Sequence, residues 1–279
     1  MTAQEAKAQA FRALHQTGFV MPNAWDAGSA KLLASEGFEA IATTSAGIAF
    51  ALGLPDYQVD RPGLAVPRET MFACMRKIAE AVNVPVNGDL EAGYGDSPQA
   101  VAATIGLAID AGLAGGNIED KIPFQAKLYD EKLAVERIAA ARATIRGRNN
   151  AFVLTARTDP FLLRDSDALG IAIRRANLFL EAGADCVYPP GVTDLQTIRR
   201  LVREVAGPIN IVMGLGGSEG NTNDVLAAGV KRISIGGAIA RSALGFVRSC
   251  ARELREQGTL GFAARQIPQG ELNGLFSRV

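Results

Sequence analysis

Three acidic residues at the ends of two short apolar runs have the types and spacing of a metal site. Asp89 and Glu91 occur in the segment GDLEAGYGD, and Glu119 occurs in NIEDK. If both runs are parallel strands, their carboxyl ends meet, and we expect Asp89 and Glu91 to share one face of their strand. Carboxylate oxygens with no His or Cys nearby suit a hard metal ion. Mg²⁺ is the ion that we expect, and Mn²⁺ is the alternative. The residues equally allow an ionic ring with Lys121 and Arg157 and no metal.

Two further segments could hold the acid groups of a substrate. Arg157 lies near the end of the run FVLTART, and its guanidinium can bind a carboxylate through two hydrogen bonds or pair with Glu119. Ser45, Ala46 and Gly47 follow another run, and we expect a small-residue turn whose backbone N–H groups could receive an anion. Any tight turn could use the same residues.

The composition narrows the possible chemistry and partners. The sole histidine, His15, falls in a helical N-terminal stretch, where we expect a surface position that argues against His-based catalysis. The 29 basic residues balance the 29 acidic ones, so no net field favours nucleic acid or a membrane surface. The three cysteines are widely spaced, and no signal peptide or membrane span is indicated. These features predict a cytoplasmic protein that acts on a small molecule.

A repeated unit predicts the scaffold that positions these residues. An Ala-rich helical stretch ends at Gly or Asn and a short β-branched run follows, and this unit recurs along the whole chain. The pattern predicts an α/β fold, a single (β/α)₈ TIM barrel over residues 1–279 preceded by a helix, with a doubly wound open sheet as the alternative. The runs are FVMPNAW, AIATTS, VPVNGDL, GGNIED, FVLTART, CVYPP, INIVMG and RISIGG.

Several long or Gly-rich connections follow the predicted strands. The connections at residues 46–69 and 120–132 are long enough to act as lids over a site. Ordinary solvent-exposed loops would have the same length and composition. The segments GLGGSEG and ISIGGAIA stand where many barrels bind phosphate, so an aldolase or isomerase of phosphorylated substrates is a second enzyme hypothesis.

The segments NAWDAG, TTSAGIAF, GDLEAGYGD, NIEDK and ARTD, in this order, resemble the isocitrate lyase and phosphoenolpyruvate mutase superfamily. The resemblance implies a Mg²⁺-dependent barrel that binds 2-oxo acids and cleaves or forms C–C or P–C bonds. It also implies a homodimer or homotetramer in which the eighth barrel helix is exchanged between subunits.

The resemblance also assigns roles to particular residues. It implies a metal site in which Glu91 stands where the family usually has a second aspartate, and a substrate-carboxylate turn at Ser45 to Gly47. It implies that the catalytic residues are Asp56, Lys121 and Arg157, that the substrate-binding residues are Ser45, Ala46, Gly47 and Arg157, and that the metal ligands are Asp89, Glu91 and Glu119.

The departures from the family pattern bear on the reaction. The connection that begins at Lys121 reads KIPFQAKL and lacks both the Lys-Arg-Cys-Gly-His of the lyases and the Lys-Thr-Asn-Ser of the phosphorus enzymes. Pro190 stands where the lyases have a glutamate. We therefore expect C–C cleavage of a 2-oxo acid, such as decarboxylation of an oxaloacetate-like diacid. A phosphonopyruvate hydrolase, a phosphoenolpyruvate mutase and a non-catalytic barrel that binds a 2-oxo acid are the alternatives.

Overall fold

The computed structural model describes residues 2–56, 62–148, 150–216 and 220–277, in which strands and helices alternate. The strands are β1 (Phe19–Met21), β2 (Asn23–Ala24), β3 (Ile41–Thr43), β4 (Val86–Asp89), β5 (Gly115–Glu119), β6 (Val153–Arg157), β7 (Cys186–Tyr188), β8 (Asn210–Val212) and β9 (Arg232–Ser234). The helices are α1 (Ala3–Thr17), α2 (Ala27–Ser35), α3 (Ser45–Ala51), α4 (Arg68–Glu80), α5 (Pro98–Asp110), α6 (Glu131–Gly147), α7 (Ala168–Glu181), α8 (Leu195–Glu204), α9 (Thr222–Ala227), α10 (Ala238–Gln257) and α11 (Gln269–Phe276). Short 3₁₀ turns cover Pro62–Leu64 and Gly261–Arg265.

The parallel strands follow one another around a ring. One sheet has the order β2-β3-β4-β5-β6-β7 and the other has the order β1-β9-β8. The sheets meet at Pro22, which separates β1 from β2 and has no N–H for a ladder, and at a parallel bridge between Val187 and Ile209. Each predicted strand is present, and the predicted (β/α)₈ barrel is confirmed.

Helix α1 covers one end of the barrel, and the prediction that its histidine lies on the surface was wrong. His15 is 7% exposed and its ring packs 5.1 Å from the rings of both Phe11 and Phe19. The reason is spacing: Phe11 and His15 are four residues apart and therefore lie on the same face of the helix, the face that α1 turns towards the strands. His15 lies at the end of the barrel opposite the carboxyl ends of the strands. Its role there is to pack against Phe11 and Phe19.

The barrel interior is lined by amides as well as by apolar groups. Asn23 donates to Thr43 O at 2.7 Å, and the buried Asn87 lies 3.4 Å from Asn117 Oδ1. Asn210 accepts from the guanidinium of Arg232 at 3.0 Å. These polar side chains line a cavity inside the barrel.

Helix α10 leaves the barrel and is exposed along most of its length. Ala240 is its buried residue, whereas Leu244, Val247 and Leu254 are all at least 47% exposed. The chain then returns to the barrel at α11, where Lys31 of α2 donates to Phe276 O at 2.9 Å. Among the described helices none is both long and apolar enough to span a bilayer.

Candidate active site

A cavity of about 240 Å³ opens at the carboxyl ends of the strands, on the side where barrel enzymes hold their substrates. Of the predicted site residues, Ser45, Ala46, Asp56, Asp89 and Arg157 line it. The other four, Gly47, Glu91, Glu119 and Lys121, are not among the residues that line it. The wall is completed by Asn23, Asn87, Asn117, Tyr188, Pro190, Asn210, Arg232 and Ser234, among others.

Asp89 is one of two carboxylates, with Asp56, among the residues that line the cavity. It ends β4, and its Oδ2 accepts hydrogen bonds from the Ser45 N–H at 2.9 Å and the Ser45 hydroxyl at 2.7 Å. Its Oδ1 accepts from Asn117 Nδ2 at 3.0 Å, and its own N–H donates to Thr43 Oγ1 at 2.9 Å. Donors from Ser45, which follows β3, and from Asn117 of β5 therefore fix the orientation of this carboxylate.

Glu91 lies beyond β4, so the expectation that it shares a strand face with Asp89 was wrong. Its φ is +52° and that of Tyr94 is +54°, left-handed conformations that are unfavourable for residues with a side chain. The buried Arg137 of α6 holds this turn by donating to the carbonyls of Gly95 and Asp96, each at 2.7 Å, and to that of Ala92. Burial, with Asp89 and Asp56 nearby, raises the pKa of Glu91 to about 8.

Arg157 is engaged by two carboxylates. Its Nε and Nη2 donate to the two oxygens of Asp159 at 2.7 and 2.9 Å, and its Nη1 lies 2.8 Å from Glu119 Oε2. Its guanidinium also lies over the ring of Tyr188, 5.5 Å from the centroid. Burial holds the pKa of Glu119 above its usual range although Arg157 opposes this, and the two carboxylates keep Arg157 charged. The ion pair with Glu119 that the sequence allowed is present, and Arg157 also lines the cavity.

Asp56 and Lys121, two of the predicted catalytic residues, lie in different surroundings. Asp56 lines the cavity at the end of the described part of the connection after β3, and burial, with Asp89 nearby, raises its pKa to about 6. The rest of that predicted lid includes residues 57–61, which lie outside the described residues. Lys121 is 8% exposed and belongs to a compact loop in which it pairs with Leu128 and Ile122 N–H donates to Lys127 O at 2.8 Å.

The predicted small-residue turn is the first turn of a helix. Thr44 is the N-cap of α3, and its side chain accepts from the Gly47 N–H at 3.3 Å. The Ser45 N–H already donates to Asp89, so the backbone donors that were expected to receive an anion are partly used within the protein. What the turn does in this structure is to fix Asp89.

The donor chemistry of the mouth fits a hard divalent cation. Asp56, Asp89, Glu91 and Glu119 act on one another electrostatically, and buried oxygens Asp56 Oδ1 and Glu119 Oε1 have no hydrogen-bond partner among the described residues. Buried carboxylate oxygens of this kind are stabilised by a cation. In the described ranges no three acidic, His or Cys side chains are already close enough to coordinate one ion. Mg²⁺ commonly uses one or two carboxylates and keeps several waters, so Asp89 would hold it directly and Glu91 and Glu119 through water.

Sequence reasoning missed the residues that orient the site. Asp159 stood in the quoted segment ARTD, and a carboxylate two residues from a strand-end arginine was the available signal. The strand residues Asn23, Asn87, Asn117 and Asn210 were also visible, because an amide inside a short apolar run has to find a partner. Arg137 carried no signal, since it contacts the loop only through tertiary packing.

Comparison with known proteins places this geometry in a family. The sequence profile of the phosphoenolpyruvate phosphomutase family matches residues 11–255. The 2-methylisocitrate lyase of Escherichia coli is 32% identical over 66% of this chain and 61% of its own length. A Burkholderia cenocepacia structure, assigned only provisionally to a lyase or mutase class, is 43% identical over 99% of this chain and 97% of its own, with a TM-score of 0.92. The structure of an oxaloacetate acetylhydrolase with its product oxalate is 26% identical over 97% and 93%, with a TM-score of 0.84.

Proposed function

The chain belongs to the isocitrate lyase and phosphoenolpyruvate mutase superfamily, and on that premise we propose that it is a lyase that breaks a C–C bond of a 2-oxo acid. The proposed reaction is the decarboxylation of an oxaloacetate-like diacid, assisted by Mg²⁺ or Mn²⁺. The observation that supports it best is the small cavity that the fixed carboxylate of Asp89 and Arg157 both line.

The size of the cavity supports a small substrate. At about 240 Å³ it is below the ~300–1,000 Å³ typical of sites for drug-sized ligands. Pro190 is part of its wall at the end of β7, so no carboxylate stands at that position. A four-carbon diacid therefore fits better than a seven-carbon tricarboxylic acid.

The reaction needs an electron sink and a proton, and the chain provides positions for both. The C3–C4 bond breaks, CO₂ leaves, and the electron pair moves towards the C2 carbonyl to give the enolate of pyruvate. When bound, the divalent cation supplies stabilisation of the charge that develops on the keto oxygen. Arg157 holds the C1 carboxylate, and Asp159 and Glu119 hold Arg157 in place.

Protonation of C3 completes the reaction. Asp56 and Tyr188 both line the cavity, and the pKa of Asp56 of about 6 leaves a protonated fraction near neutral pH. Lys121 is not among the lining residues, so a movement of the compact loop after β5 would be needed to bring it to C3. Asp56 is therefore the preferred proton donor, with Lys121 as the residue that a loop movement would bring in.

Cleavage of a P–C bond is the second candidate, because the matching family profile is that of a phosphomutase. In the test, the purified protein is incubated separately with oxaloacetate and with phosphonopyruvate. Each substrate is assayed for pyruvate and phosphate in the presence of Mg²⁺, of Mn²⁺ and of EDTA. We expect pyruvate from oxaloacetate, loss of this activity with EDTA, and at least a hundredfold lower kcat/KM in Asp89→Asn.

Three outcomes of that test would contradict the proposal. Release of phosphate from phosphonopyruvate would support P–C chemistry, and activity that survives EDTA would refute the metal role. Tight binding of 2-oxo acids by calorimetry, with no product from either substrate, would indicate a non-catalytic binding barrel.

We further propose that α10 packs against a second copy of the chain in a homodimer or homotetramer. The exposed apolar side chains Leu244, Val247 and Leu254 on a 20-residue helix support this. Light scattering should give a mass of two or four chains, and Val247→Glu with Leu254→Glu should shift it towards one.

A further inference from the structure

A buried arginine with no carboxylate partner lies at the floor of the cavity. Arg232 begins β9 and is 1% exposed, yet it lines the same cavity as Asp89. Its Nε donates to Asn210 Oδ1 at 3.0 Å and its Nη2 donates to Thr155 Oγ1 at 2.9 Å. Throughout the described ranges its hydrogen-bond partners are neutral groups, and no Asp or Glu forms an ion pair with it.

The histidine beside Arg232 cannot offset its charge. His15 Nδ1 bonds to Phe11 O at 2.9 Å, which leaves Nε2 as an acceptor 3.4 Å from Arg232 Nη1. Burial, and then Arg232 itself, lowers the pKa of His15 to about 3, so the ring is neutral. The acid that acts on His15 is Asp185, and it is already paired with Arg12 at 2.7 Å and with Arg142.

An isolated buried charge is strongly unfavourable unless a counterion accompanies it. The strands and α1 pack around Arg232, and the one open space beside it that the described residues form is the cavity that it lines. The position of a counterion is therefore inside the barrel, in contact with solvent and ligands that enter from the mouth. The neutral groups that bind the guanidinium fix its position and leave its charge available to an anion in the cavity.

The strand register shows how Arg232 is placed relative to Asp89 and Arg157 at the mouth of the barrel. Thr155, which binds its guanidinium, lies opposite Asn117 in the β5–β6 register, and Asn117 donates to Asp89. Arg157 lies two residues further along β6, about 7 Å at the rise of a strand. Arg232 and Arg157 thus line one cavity at levels that differ by two residues of a strand, and we infer that a short diacid can reach both.

We propose that Arg232 binds a carboxylate at the floor of the cavity, and that this carboxylate is the second acid group of a compact diacid. The choice of a diacid rests on the proposed function, whereas the anion site itself does not. Arg157 is shared with Asp159 and Glu119, so Arg232 is the cation that a dianionic ligand can neutralise without competing with the protein. A free inorganic anion would satisfy the same chemistry, and the test separates the two sources.

The test measures binding of malonate, a diacid that does not react, by calorimetry and by the thermal unfolding midpoint in EDTA at constant ionic strength. Acetate and chloride serve as monoanionic probes. We expect malonate to bind and raise the midpoint more than either, and Arg232→Met to weaken malonate by about tenfold or more, as loss of a charge-assisted contact implies. Arg146→Met, an exposed arginine of α6, is the matched control and should bind as the wild type does.

A second variant keeps the test decisive if Arg232→Met folds poorly. Asn210→Asp places a carboxylate 3.0 Å from the guanidinium, so we expect a higher unfolding midpoint without ligand and about tenfold weaker malonate binding. Malonate affinity within twofold of the wild type in both variants would refute the anion site. Chloride as effective as malonate would refute the diacid. Malonate binding without any turnover of oxaloacetate would refute the proposed function and leave the anion site standing.

Discussion

The strained turn that carries Glu91 gives a prediction about stability. Arg137→Met keeps the volume of the side chain but removes the guanidinium that binds the carbonyls of Ala92, Gly95 and Asp96. Each hydrogen bond to a charged group contributes about 1.5–3 kcal/mol, and methionine avoids the cost of burying a charge. The left-handed residues Glu91 and Tyr94, at φ +52° and +54°, cost about 1–2 kcal/mol each and depend on this support. We expect a net loss of about 3–5 kcal/mol in the free energy of unfolding, because three carbonyls lose their donor.

The measurement is urea unfolding, with the midpoint and the slope fitted separately. At about 2–4 °C per kcal/mol, the thermal midpoint should fall by about 10 °C. Arg137→Lys retains the charge but cannot reach all of the carbonyls, so we expect it to recover part of the loss. Arg146→Met on the exposed face of the same helix is the control. If Arg137→Met and Arg146→Met differ by less than about 1 kcal/mol, the turn does not depend on Arg137 and the reasoning is refuted.

Three further predictions concern the mouth of the barrel. The pKa of Glu91 is raised to about 8 from 4.5, so its contribution to stability is complete below pH 4.5 and is lost as pH rises through 8. The EDTA-treated protein should therefore be less stable at pH 8 than at pH 6 and Glu91→Gln should reduce this difference; a flat profile in the wild type would contradict it. Ser45→Ala removes the 2.7 Å hydroxyl bond to Asp89 and should weaken Mg²⁺ binding about tenfold by calorimetry, whereas unchanged affinity would mean that Ser45 does not orient the carboxylate. Gly47→Ala would place a Cβ 2.6 Å from Thr44 Cγ2 and should lower the unfolding midpoint, and a midpoint equal to that of the wild type would show that α3 can shift without cost.

The strand order and the position of the site could be predicted from the sequence because both depend on local patterns. Short β-branched runs between helical stretches predict parallel strands, and polar residues at their ends predict a site at the barrel mouth. Asp89 and Arg157 were identified in this way, and both line the cavity. The expected pairing of Asp89 and Glu91 on one face failed because alternation holds only within a strand, and β4 ends at Asp89.

Contacts between residues distant in sequence were decided only by the tertiary structure. His15 and Arg232 are 217 positions apart, and only closure of the ring with α1 across its end brings an imidazole next to a buried guanidinium. Arg137 is an ordinary helix residue until packing places it under the turn after β4. The sequence by itself determined which side chains stand at the strand ends. Folding determined which of them face the cavity and which buried charges remain without a partner, because these depend on distances between strands that no local pattern encodes.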